Sequence, residues 1–312
     1  MAQRGYTLGR GRDARSQHGE DMSAGDRVAY EDRYYWSHDG LRLHFRDYAG
    51  PEDKPIVLCI PGLTRNARDY EGVAARLAGR WRVWCLDLRG RGDSAYAKDP
   101  LSYVPLTYLR DVEALIAQEQ PQKLAVIGTS LGGIIAMLMG GTLKQHLAGV
   151  LMNDIGPDID SAGLERIRNY VGKLGPWPTW MHAAWAIRDL NIDIYPGYSM
   201  DDWLRMAKRT CYLHPNGRIV ADYDPNLAAP FKLPNSNAGV DLWPAFEALA
   251  DLPITVLRGE TSDILSARTV ERMVAAGPHV VAVTVPGVGH APSLEEPESV
   301  AAIDAFLGRL AV

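Results

Sequence analysis

From Tyr34 onward, short apolar runs alternate with amphipathic stretches, the pattern of helices packed on a largely parallel sheet. Tyr34–Ser37 and Leu41–Tyr48 flank His38-Asp39-Gly40, and Asp-Gly between two strand-like runs predicts an opening antiparallel hairpin. Ile56–Ile60 is uninterruptedly apolar and stops at Pro61-Gly62, which is how a strand buried on both faces reads. Trp81–Leu86, Lys123–Ile127, Val150–Met152, Ile254–Leu257 and Val280–Val285 are further strand candidates. Between them, Ala67–Ala78, Leu106–Gln118, Leu131–Met139, Ala267–Ala275 and Glu298–Leu310 carry helical spacing. The predicted fold class is therefore α/β, with a mostly parallel twisted sheet flanked by helices.

The rhythm breaks between about Gly156 and Leu242, a stretch rich in Trp, Tyr and Pro. Apolar spacing in Trp180–Leu190 and Met200–Tyr212 suggests short helices punctuated by prolines. The expected organisation is a flexible arm over residues 1–27, a core from residues 28–156 and 242–312, and a helical insertion over residues 157–241. The arm contains Arg10, Arg12 and Arg15, but it lacks the apolar centre of a secretory signal.

Composition narrows the function classes. Of the 312 residues, 46% are hydrophobic and 23% charged, which is ordinary globular usage. A net charge of −5 provides no field to attract nucleic acid or an anionic lipid surface. No apolar stretch approaches the roughly 20 residues of a spanning helix. Cys59 and Cys85 sit inside apolar runs and Cys211 stands apart, so a disulfide framework is not expected; a reducing, cytoplasmic compartment is.

The strongest chemical signal is Gly128-Thr129-Ser130-Leu131-Gly132, a G-x-S-x-G placed after a strand candidate and before an apolar helix. Glycines at 128 and 132 let neighbouring backbone approach a sharp turn that would push the Ser130 hydroxyl outward. Three other motifs accompany it in order: Pro61-Gly62-Leu63, Asp87-Leu88-Arg89-Gly90-Arg91-Gly92-Asp93-Ser94 and, near the end, Gly289-His290. With these, the chain from about Tyr34 onward resembles the α/β-hydrolase superfamily, especially its esterase, epoxide-hydrolase and carbon–carbon hydrolase branch. The insertion stands where that fold carries a lid.

A serine nucleophile needs a base, and the base needs an anionic partner to fix its tautomer. In the resembled superfamily the chain order is nucleophile, acid, histidine. His290, just beyond the last strand candidate, is the best placed of eight histidines. Asp263, in the loop after Leu257, is the preferred acid; Glu260 in the same loop and Asp154 in Asn153-Asp154-Ile155 are rivals. The resemblance implies backbone N–H donors at Leu63 and Leu131 as the oxyanion hole, although Pro61-Gly62 also reads as a simple turn. Asp87–Ser94 is expected to be architectural. His182 and His214 have no metal-ligand spacing, and no metal or cofactor is implied. Arg188 and Arg209 are candidates for holding a substrate carboxylate, against the commoner fate of a lid arginine on a solvated face.

The expected activity is serine hydrolysis of carboxylic esters of hydrophobic small molecules, with the aromatic insertion forming an apolar pocket. Carbon–carbon bond hydrolysis of meta-cleavage products, a lactonase, and a non-catalytic small-ligand receptor of the same fold are the alternatives. Dehalogenases and epoxide hydrolases of the fold place an aspartate where Ser130 stands. The expected partner is a small ester or related acyl compound, with no nucleic acid and no membrane span; homodimerisation is left open.

Overall fold

Gly40, at φ 78°, turns the chain between β1 (Glu31–Trp36) and β2 (Arg42–Tyr48), the antiparallel hairpin predicted from Asp39-Gly40. The structure is a computed structural model that describes residues 28–233 and 241–310, so the expected arm over residues 1–27 lies outside the described residues. After β3 (Ile56–Ile60) come a 3-10 turn at Ala67–Tyr70 and α1 (Glu71–Leu77), two elements where the spacing predicted one helix. Next are β4 (Val83–Asp87), α2 (Pro105–Glu119), β5 (Leu124–Thr129), α3 (Leu131–Thr142) and β6 (Leu147–Asn153). Pro105 opens α2 at a position where its missing N–H has no intrahelical partner to lose.

The chain then leaves the sheet for α4 (Ser161–Tyr170), α5 (Trp180–Asn191), α6 (Met200–Thr210) and a small hairpin of β7 (Cys211–Leu213) and β8 (Ile219–Ala221). It returns through α7 (Trp243–Glu247), β9 (Ile254–Gly259), α8 (Ala267–Ala275), β10 (Val280–Val285) and α9 (Pro297–Gly308). The eight-stranded sheet has the order β1-β2-β4-β3-β5-β6-β9-β10. Every pairing from β4 to β10 is parallel, as the uninterrupted apolar runs predict.

Alternation along the central strands builds two cores. Leu58, Ile60, Val126 and Leu86 face α2 and α3, packing with Val112, Leu115, Ile135 and Met139. Their neighbours Val57, Cys59, Cys85, Ala125 and Ile127 face the opposite layer, with Val73, Leu77, Ile303 and Phe306. All three cysteines are free and buried. Among the described residues no helix is long and apolar enough to cross a membrane.

The segment between β6 and β9 has its own small core of Ala183, Ile187, Trp203 and Met206, against which Tyr195 stacks on Tyr198 at 4.6 Å. Trp177 and Trp180 also pack on this internal core, whereas Tyr170, Tyr223 and Phe231 pack on the core of the main sheet and Trp185 is exposed. Its far end is fastened to the sheet edge: Tyr103 Oη donates to Asp224 at 2.6 Å, and Arg68 Nη2 to Asp222 at 2.6 Å.

Candidate functional site

Ser130 sits between β5 and α3 with φ 52° and ψ −114°, a backbone conformation that a residue with a Cβ adopts only under constraint. The constraint is packing. A Cβ on Gly132 would lie 2.0 Å from the Ile60 carbonyl oxygen, and one on Gly128 would lie 2.5 Å from the Gly132 carbonyl carbon. Only glycine allows α3 to approach β3 and β5 this closely, and the approach forces the sharp turn. The Ser130 N–H donates to Asn153 O at 3.0 Å, which ties the turn to the end of β6.

His290, in the loop between β10 and α9, reaches back over this turn. Its Nε2 lies 2.9 Å from Ser130 Oγ and its Nδ1 lies 2.8 Å from Asp154 Oδ2. Asp154 follows β6 directly, has φ 56° and is fully buried. Its carboxylate is completely engaged, Oδ1 accepting from Gly259 N at 2.7 Å and Oδ2 from Ser262 Oγ at 2.6 Å. With a carboxylate on Nδ1, the imidazole holds its proton there and presents a basic Nε2 to the hydroxyl.

The expectation that Asp263 supplies this carboxylate is corrected by the structure. Asp263 is bound in two-pronged fashion by Arg166 of α4, at 2.6 and 2.8 Å. Those bonds hold its carboxyl below the ordinary range, against the opposing effect of burial. The loop after β9 turns toward α4, where Gly163 N donates to Asp263 O at 3.2 Å, so residue 263 faces the inserted segment. Its neighbour Ser262 faces inward and serves Asp154. Glu260 is elsewhere, accepting from Gly287 N at 2.8 Å on the exposed side of the loop.

Leu63 follows β3 and lines the same cavity as Ser130; Leu131 is the first residue of α3. Among the described residues neither N–H is engaged by a hydrogen bond. Several residues that hold this arrangement escaped sequence reasoning. Arg91, fully buried, donates from Nε to Leu63 O at 2.8 Å and so fixes the loop after β3. Tyr70 Oη bonds Ile60 O at 2.8 Å and Thr129 Oγ1 at 2.9 Å. Asn153 Nδ2 donates to Pro292 O at 2.9 Å, joining β6 to the His290 loop. The one sequence signal for Arg91 was its place in the glycine-rich run after β4.

The inserted segment also grips the histidine loop. Gly289 N donates to Ile194 O at 2.9 Å and Tyr195 Oη to Ala291 O at 2.6 Å, one bond on each side of His290.

Over Ser130 and His290 lies a cavity of about 140 Å³, bounded by the β3 loop, α4, α5, α6 and the β7–β8 hairpin. Tyr170, Trp177, Tyr195 and Tyr223 contribute to its wall, but so do Arg65, Arg166 and Arg209, which makes it more polar than the aromatic content suggests. Arg188 lies outside, its guanidinium over the Trp185 ring at 4.6 Å.

The Asp87–Ser94 run is structural. Asp87 accepts from Ala67 N and Asp93 N at 2.7 and 2.9 Å, and Arg89 is fully buried against Asp111 and Asp39. Two groups among the described residues have metal-like spacing: His38 with Asp39 and Asp111, and His44 with Asp87 and Asp93. Arg89 occupies both carboxylates of the first. Asp32 and Asp87 take both His44 nitrogens in the second, and neither group lines the cavity. His182 bonds Thr179 at the surface, and His214 is partly exposed.

Comparison with known proteins identifies the family. The chain is 35% identical over 284 residues to the 3-hydroxybutyrate-oligomer hydrolase of Cupriavidus necator, covering 85% of this chain and 92% of that protein. It is 24% identical over 246 residues to the 2-(acetamidomethylene)succinate hydrolase of Mesorhizobium japonicum, with 78% and 84% covered. The crystal structure of an alpha/beta hydrolase from Novosphingobium aromaticivorans superimposes with a TM-score of 0.85 at 54% identity, over 90% of this chain and 98% of that one. Residues 57–303 match the description of the alpha/beta hydrolase family, a span that runs from β3 into α9 and takes in Ser130, Asp154 and His290. The chain belongs to the alpha/beta hydrolase family.

Proposed function

We propose that this hydrolase is a serine-dependent esterase whose substrates are short linear oligoesters of a small hydroxy acid. The observation that carries the esterase reading is the unbroken hydrogen-bond line from Ser130 Oγ through His290 to Asp154. His290 Nε2 takes the hydroxyl proton as Oγ attacks the ester carbonyl carbon, and Asp154 stabilises the imidazolium that forms. The N–H groups of Leu63 and Leu131 receive the oxyanion. The tetrahedral species collapses, the alcohol leaves with the proton from His290, and an acyl-Ser130 ester remains. Water, deprotonated by His290, then attacks that ester, and the acid departs as Ser130 recovers its proton. The described part of the insertion, residues 157–233, acts as a lid over this space.

The substrate half of the reading is supported by the Cupriavidus relative, which is named for 3-hydroxybutyrate oligomers. Size agrees as well. A cavity of about 140 Å³ compares with the roughly 150 Å³ cavity that accepts benzene, and a hydroxybutyrate unit is of that order. The test is a screen of 3-hydroxybutyrate dimer, p-nitrophenyl butyrate, lactones, ring-cleavage diketones and substituted succinates; the last are included because of the Mesorhizobium relative. The expected result is turnover of the dimer and the butyrate ester, lost by about 10³-fold or more in a folded Ser130→Ala variant. Ester turnover that survives the substitution, or turnover of diketones alone, overturns the reading.

A further inference from the structure

Two guanidinium groups in the cavity wall keep hydrogen-bond donors to spare. Arg65, on the loop after β3, is bonded through Nε to Asp69. Arg209, near the end of α6, gives Nη1 to Glu295 at 2.9 Å, and Glu295 lies on the exposed side. The Arg209 Nε is buried without a hydrogen-bond partner, as is Asp69 Oδ1 beside it. Arg166, the third guanidinium of the wall, gives Nε and Nη2 to the two oxygens of Asp263, so its fork already holds a carboxylate. Arg65 is close to the reacting serine: a Cβ on Gly62 would stand 3.7 Å from both Arg65 Cγ and Ser130 Cβ.

A buried guanidinium nitrogen without a partner costs stability, and the cost is relieved when an acceptor binds. A carboxylate is the acceptor best matched to a guanidinium, offering two oxygens in one plane to its N–H fork. We infer that Arg65 and Arg209 form a carboxylate subsite, and that the enzyme acts on the free-acid end of its oligoester. This rests on the esterase reading of Ser130 and specifies its substrate.

Direction of cleavage follows from the chemistry of such an oligomer. At its acid end, the free carboxylate belongs to the alcohol portion of the last ester. When the arginines hold that carboxylate, Ser130 attacks the carbonyl carbon of the penultimate unit and the bond to the terminal unit's oxygen breaks. His290 delivers its proton to that oxygen, so the leaving group departs as a free hydroxy acid with its carboxylate still charged. The shortened chain stays as the acyl-Ser130 ester until water releases it, exposing a new carboxylate for the next turnover. Asp69 Oδ1 is an acceptor in the same wall for a substrate hydroxyl.

The experiment compares kcat/KM for 3-hydroxybutyrate dimer and for its methyl ester, in the wild type and in Arg209→Met, Arg209→Lys and Arg65→Met, with labelling by a fluorophosphonate as the control for an intact site. The wild type should prefer the free acid by at least about ten-fold, chiefly through KM. That preference ratio should fall about ten-fold in Arg209→Met and Arg65→Met and be partly restored in Arg209→Lys. In the wild type alone, 3-hydroxybutyrate anion should inhibit p-nitrophenyl butyrate hydrolysis competitively while its methyl ester should not, a measurement independent of variant folding. Equal turnover of acid and methyl ester, or an unchanged ratio in labelled variants, overturns the subsite and leaves the esterase reading standing. Loss of labelling and of all ester turnover in the wild type overturns that reading instead, and the subsite with it.

Discussion

Asp154 and His290, 136 residues apart in the chain, meet at 2.8 Å because β6 and β9 are neighbours in the sheet and the loop after β10 folds back over their ends. Asp154 Oδ2 also takes a hydrogen bond from Ser262, and Oδ1 one from Gly259, so two bonds besides the one to the imidazole hold the carboxylate in place. In the proposed mechanism Asp154→Asn keeps the shape but stabilises the wrong tautomer, and kcat should fall by about 10⁴-fold. Asp263→Asn removes only a partly exposed pair with Arg166, whose exposure discounts its weight, and kcat/KM should change by no more than about three-fold. Steady-state kinetics on the two variants side by side check this, and a larger loss in Asp263→Asn would reverse the assignment.

Asp154 illustrates where sequence reasoning stops. The eight strands of the main sheet, the hairpin at Gly40, the serine turn and the order of motifs were legible, because each is written in local spacing or in a glycine that only one geometry requires, whereas the β7–β8 hairpin was not, the helical reading of Met200–Tyr212 running into it. The choice among Asp154, Glu260 and Asp263 was not. It depends on β6 lying between β5 and β9, and on the loop after β9 turning Asp263 outward to Arg166 while Ser262 points in. Neither the neighbour order of strands nor the direction of a loop side chain has a local signature. Arg91 and Tyr195 escaped for the same reason: their bonds to Leu63 O and Ala291 O join segments distant in the chain.

Tyr195 touches none of the reacting atoms, yet its hydroxyl bonds the carbonyl next to His290. It is a positioning residue. Losing one such bond should cost about 1 kcal/mol, equivalent to roughly a five-fold drop in kcat for Tyr195→Phe. KM for a small neutral ester should move little. A drop in thermal stability with kcat unchanged would show that the bond serves only to hold the lid.

His44 provides a pH signature that is separate from catalysis. Burial opposes its charge, but hydrogen bonds to Asp32 and Asp87 prevail and raise its pKa from 6.5 to about 9. A value raised on folding contributes stability that is complete below pH 6.5 and is lost as pH climbs through about 9. The contribution is at most on the order of 3 kcal/mol. Urea denaturation should therefore show the wild type losing its margin over His44→Asn between pH 6.5 and 9.5. A margin constant across that range would mean that His44 is neutral in the folded protein.

The most direct measurement of the central claim is peptide mapping of the protein after reaction with a fluorophosphonate. The expected result is a single adduct on the peptide containing Ser130, absent in Ser130→Ala and formed far more slowly in His290→Ala. An adduct on any other residue, or undiminished labelling without His290, would contradict the account.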